Sequence, residues 1–137
     1  MNPLIKCLLT GFLLALVVAC ITPAAFAEEQ FGVKEYNEFH DVLHFLQHEA
    51  LPAKDFQRIR SNSAELVKRG EAIVRLGVPK GTAKARAKEF GKELKKFKSS
   101  LAKFRRHSQD GTDTELESSF SAVHDSFEML AGMLPRK

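Results

Sequence analysis

Between Ala83 and Phe104 the residues Ala83, Ala87, Phe90, Leu94, Phe97, Leu101 and Phe104 recur at alternating intervals of four and three without a break. That spacing puts all seven on one side of a long helix, and no period-two pattern competes with it. A stripe so rich in phenylalanine cannot stay in water, so the rest of the chain must supply matching apolar faces.

Three further segments do so. Tyr36, Phe39, Leu43, Leu46 and Ala50 mark a first helix over about Val33 to Ala50, ended by Pro52. A second runs from about Asp55 to Leu76, with Phe56, Ile59, Leu66 and Ile73 inward and the small residues Ser63 and Gly70 on the same stripe. Asn62 with Glu65 has the spacing of a capping box and leaves open a break near Ser61. The turn Gly77-Val78-Pro79-Lys80-Gly81 separates this helix from the third, which Thr82 is expected to cap and which extends to about His107. After a polar loop, Thr114 with Glu117 can cap a fourth helix presenting Leu116, Phe120, Val123, Phe127, Leu130 and Leu134. Four helices of similar length on short connections predict an all-α, antiparallel up-down-up-down four-helix bundle. Seven of the 11 phenylalanines lie on these inward stripes and are accounted for by the core.

The first 27 residues read differently. Lys6 precedes an apolar run from Cys7 to Ile21, and Pro23 and Ala25-Phe26-Ala27 follow it before two acids, the pattern of an export signal cleaved after Ala27. Residues 1–27 are therefore expected to be a signal peptide and 28–137 the bundle, in a periplasmic or otherwise exported protein. The competing reading takes Val17-Val18-Ala19-Cys20 as a lipobox that leaves Cys20 acylated as a membrane anchor. Both cysteines, Cys7 and Cys20, lie in the leader, so the mature chain has no thiolate and no disulfide. A metal ion would have to be held by imidazole, carboxylate or thioether.

The net charge of +4 conceals a partition. Glu28, Glu29, Glu35, Glu38, Asp41 and Glu49 stand against Lys34 alone in the first helix region, and Asp110 to Glu128 holds six acids and no Lys or Arg. Between Lys80 and Arg106 eleven basic residues face only Glu89 and Glu93. Cations are attracted to the first and last helices, and an acidic protein or anionic lipid to the third, over residues 82–107.

The acidic helices carry the histidines. His40, His44 and His48 follow one another at intervals of four, and His124 lies beside Asp125 and one turn before Glu128. At 100° per residue His40 and His44 fall about 60° and 100° from Leu43, bordering the core stripe, and His124 falls about 100° from Val123 on the same rotational side. Flanks of the same sense face each other across an antiparallel pair. His40, His44 and His124 can therefore share the groove between the first and fourth helices, with Glu128 as a carboxylate fourth ligand and Asp125 orienting an imidazole. His48 and His107 are expected to be ordinary surface residues. Met129 and Met133 sit off the inner stripe and are read as packing residues, although a thioether would suit copper.

The placing of His40 and His44 opposite His124 resembles exported helical metal sensors and metal-resistance chaperones, over the whole mature chain in helix order. The Leu-x-x-x-x-Gln motif common in those chaperones is absent. The resemblance implies a divalent transition metal (Zn, Cu, Ni or Co) held for sequestration, sensing or delivery. The architecture also resembles the b-type and c-prime four-helix cytochromes. With no methionine in the first helix and no C-x-x-C-H, that resemblance implies at most a non-covalent bis-histidine haem through His40 or His44 and His124. A further alternative is a metal-free interaction or chaperone bundle working through its basic third helix. Catalysis is not expected: Ser118, Ser119 and Ser121 share one helix with His124 and Asp125 and cannot form a triad with them. No nucleic-acid partner is expected of an exported chain whose phenylalanines face inward. A second copy of the chain, as a homodimer, completes the candidate partners.

Overall fold

The computed structural model describes residues 31–135. The expected leader, its cleavage after Ala27, the alternative anchor at Cys20, and residues 28–30, 136 and 137 lie outside them. Among the described residues the chain is all helical. Helix α1 spans Lys34–Phe45 and passes into a π-helical turn at Leu46–Ala50. Helix α2 spans Phe56–Leu76, α3 Lys84–Asp110 and α4 Asp113–Gly132.

Successive helices pack on one another, and the contacts fix their directions. Arg69 of α2 pairs with Glu38 of α1 at 2.8 Å, while Arg58, near the other end of α2, lies over the Phe45 ring. Arg60 at the start of α2 meets the end of α3, and Gly70 lies against Leu101. Phe97 packs on Phe127 and Phe104 on Phe120, so α3 and α4 are antiparallel. Tyr36 lies on Phe127 at one end of the α1–α4 boundary, and Lys54 binds Glu117 at the other at 2.7 Å. Each neighbouring pair runs antiparallel, as expected for an up-down bundle. In this order α1 and α3 stand at opposite corners.

Most of the predicted stripe residues form one core, while Ala83 is exposed and Phe56, Ala87 and Leu94 are only partly buried. Tyr36, Phe39, Leu43, Leu46 and Ala50 meet Ile59, Leu66, Ile73, Phe90, Phe97, Leu101, Phe104, Leu116, Phe120, Val123, Phe127 and Leu130, all buried. Val67, off the predicted stripe, joins them. Gly70 permits a close helix approach, since a Cβ there would stand 2.6 Å from Leu101 Cδ1 and 3.1 Å from Phe39 Cε2.

Several helix ends differ from expectation. Helix α2 is continuous through Ser61: Asn62 Nδ2 donates to the Arg58 carbonyl, and Ser61 and Ser63 return to carbonyls three residues back, so these side chains bond within the helix instead of capping a new one. Glu65 is drawn to Arg69 at 2.6 Å. Thr82 turns its hydroxyl to the Pro79 carbonyl and leaves Ala83 as an N-cap with no side-chain hydrogen bond. Helix α3 continues past His107 to Asp110. The cap of α4 is Thr112, two residues earlier than expected, in a reciprocal capping box with Glu115. Hydrogen bonds donated to its carboxylate, first by the Thr112 amide and then by the Thr112 hydroxyl, hold the Glu115 carboxyl below its ordinary value.

Charge is spent unevenly. Lys84, Lys88, Lys92 and Lys96 stand four apart on α3, like-charge neighbours that destabilise a helix by roughly 0.2–0.5 kcal/mol per pair. The first turn of α3 contains no acid, so its cations also oppose the helix dipole.

Candidate metal centre in the α1–α4 groove

The expected groove exists. His40, His44, His124 and Glu128, the four residues singled out as ligands, line one small cavity of about 40 Å³ between α1 and α4, together with Leu43, Gln47 and His48. His40 is held in place by aromatic packing, with the Phe31 ring edge-on at 5.2 Å and Phe127 stacked at 6.2 Å. The imidazoles of α1 and the π-turn form a ladder: His40 and His44 have ring centroids 5.3 Å apart, and His44 and His48 4.4 Å apart.

His48 is exposed, as expected of a surface residue, and it also lines this cavity beside His44. The reason is the π-turn. The Leu51 amide donates to the Leu46 carbonyl at 2.9 Å and the Asp55 amide to the Ala50 carbonyl at 2.9 Å, each five residues back. One extra residue per turn rotates the following side chains backwards, so His48 falls in line with His44 instead of leaving the groove. Pro52 has no amide hydrogen to continue an α-helical ladder, and the widened turn lies immediately before it. The His48 side chain keeps an exposed edge.

Burial and the neighbouring His44 push the His40 imidazole below its ordinary range, outweighing the opposite pull of Asp41 and Glu128. His40 is therefore biased towards the neutral form that can ligate. His124 Nδ1 lies 3.2 Å from Asp125 Oδ1, the orienting role expected of Asp125. With a carboxylate as acceptor, Nδ1 carries the hydrogen and Nε2 presents its lone pair. Gln47 was missed by pattern reading because a glutamine beside a core stripe looks like any amphipathic border. Its Oε1 is buried and finds no hydrogen-bond partner among the described residues, in the wall of this same cavity.

As the side chains stand, no three His, Cys, Asp or Glu groups among the described residues are close enough to hold one ion. His44, His48 and Glu128 are exposed. The cavity admits an ion with a water molecule and is far below porphyrin size.

Compared with protein-family models, curated proteins and solved structures, the chain matches none. The likeness to exported metal-binding bundles is thus carried by the four-helix arrangement alone, and the groove must be judged on its own residues.

Two larger hollows lack its chemistry. One of about 570 Å³ lies at the bundle end between Gly81, Thr82, Arg86, Met133 and Pro135, and one of about 340 Å³ lies over Val67, Val74 and Leu101. Met133 faces the first of these and Met129 is 56% exposed, so neither lines the histidine cavity. His107 is elsewhere too, its Nδ1 2.9 Å from the Glu115 carbonyl, where it joins α3 to the first turn of α4.

Proposed function

We propose that this chain is an exported helical bundle that binds a divalent transition-metal ion (Zn, Cu, Ni or Co) through His40, His44 and His124, with Glu128 as a carboxylate ligand. The observation that carries it is the single cavity walled by these four groups and His48, on the acidic side of a basic protein. Two imidazoles one turn apart on α1 provide a chelating pair, and His124 and Glu128 provide a second pair one turn apart on α4. Closing them on one ion requires side-chain movement, since no three of these groups are close enough as they stand. A donor set of nitrogen and oxygen with no sulfur suits divalent borderline ions over Cu(I). A cavity of this size favours a bare ion over haem.

In this reading the ion is stored, sensed or handed on. The test is a thermal melt with each ion in slight excess. The ion that binds should raise Tm in the wild type, and His40→Ala and His124→Ala should each remove that increment. An equal increment in wild type and both variants would place binding outside the groove.

A further inference from the structure

The cationic face of α3 is unused by the metal proposal and independent of it. On α3, Lys84, Lys88, Lys92, Lys95, Lys103 and Arg106 lie within about 50° of the direction opposite the core residues Phe90, Phe97, Leu101 and Phe104. All six are exposed, and none has a carboxylate within ion-pair distance among the described residues. They form a straight stripe about 33 Å long. Its interior neighbours are Ala85, Ser99 and Ala102, which offer no apolar wedge; the hollow over Val67, Val74 and Leu101 opens at its edge beside Ala102.

Such an arrangement works against its own helix. Lysines four apart repel, and cations in an uncapped first turn oppose the dipole. An anionic surface laid along the stripe relieves both. The stripe carries five lysines and one arginine. Lysine is a compact point charge on a flexible stem, suited to a diffuse negative layer, whereas recognition of a particular carboxylate or phosphate favours the planar fork of arginine. At the opposite corner, α1 and the π-turn after it carry Glu35, Asp41 and Glu49, so the molecule is a lateral dipole that a negative plane would orient.

We propose that α3 docks this protein on the headgroup layer of an anionic phospholipid bilayer, lying along the surface with the α1 corner turned away. Attachment through this face is electrostatic and does not insert. No helix among the described residues is long and apolar enough to cross a bilayer.

The full chain is sedimented with vesicles of phosphatidylcholine alone and with vesicles containing phosphatidylglycerol. The difference between the two isolates the electrostatic part from any apolar contribution of the leader. Wild type should partition more strongly onto the anionic vesicles at low salt, and the excess should vanish at high salt. Lys88→Glu with Lys92→Glu should lower that excess about tenfold or more. Lys34→Glu with Lys68→Glu, which removes the same net charge from other helices, should lower it less than about threefold. Circular dichroism verifies that both variants remain helical. No preference for anionic vesicles, equal losses in the two double variants, or tighter retention on soluble heparin than on vesicles would each overturn the proposal.

Discussion

At the scale of single residues, Gln47 separates the metal proposal from mere proximity of histidines. Its carbonyl oxygen is buried without a partner in the cavity wall, a condition that destabilises a fold by about 1–3 kcal/mol. Gln47→Leu should therefore leave the metal-free protein as stable as wild type or up to about 1 kcal/mol more stable, and should weaken ion binding. Paired melts with and without the ion read both effects. The ion's stabilisation should also fade below about pH 6, because imidazoles ligate only when neutral. Glu115 gives a separate pH dependence. Its carboxyl is held below its ordinary 4.5 by the Thr112 amide and hydroxyl. The native state thus binds fewer protons than the unfolded chain, and the contribution is present above pH 4.5 and lost as pH falls through the lower native value. Glu115→Gln should flatten the Tm–pH curve in that acid window and leave the slope near neutrality unchanged.

At the scale of elements, the stripes were legible and the ends were not. Tyr36 through Ala50, and Leu116 through Leu134, are buried where the three-four alternation placed them, because burial of large apolar side chains dominates the choice of face. The cap of α4 was ambiguous for a local reason: Thr112-x-x-Glu115 and Thr114-x-x-Glu117 overlap, and only the packed structure selects the first while Glu117 goes to Lys54. The π-turn left no trace in the alternation, since Leu43, Leu46 and Ala50 keep an α-compatible spacing. That is why the spacing did not show that His48, exposed as expected, also lines the cavity. Thr112→Ala should destabilise by about 0.5–2 kcal/mol in denaturant melts. Arg60 does comparable work at the other side of this turn. Its guanidinium donates to the His107 and Gly111 carbonyls at 2.9 Å each and to Asp113 at 2.9 Å, satisfying the open end of α3. Arg60→Leu should cost about 2 kcal/mol, read in the same way.

At the scale of the whole molecule, one aromatic seam couples the groove to the core. Phe127 touches the rings of Phe31, Tyr36, Phe39, His40 and Phe97, and thereby ties α3, α4 and α1 together directly behind the candidate ligands. Farther along, Phe104 and Phe120 join α3 to α4 away from the histidines. Phe104→Ala should lower global stability by about 3–5 kcal/mol and leave the affinity of the remaining folded protein for the ion unchanged. The central claim is the ion itself. Its most direct test is elemental analysis of untagged protein equilibrated with each divalent ion and then dialysed. One transition-metal ion per chain, retained by wild type and lost from His40→Ala and His124→Ala, is the expected result; a wild type that retains none, or variants that retain as much, would contradict it.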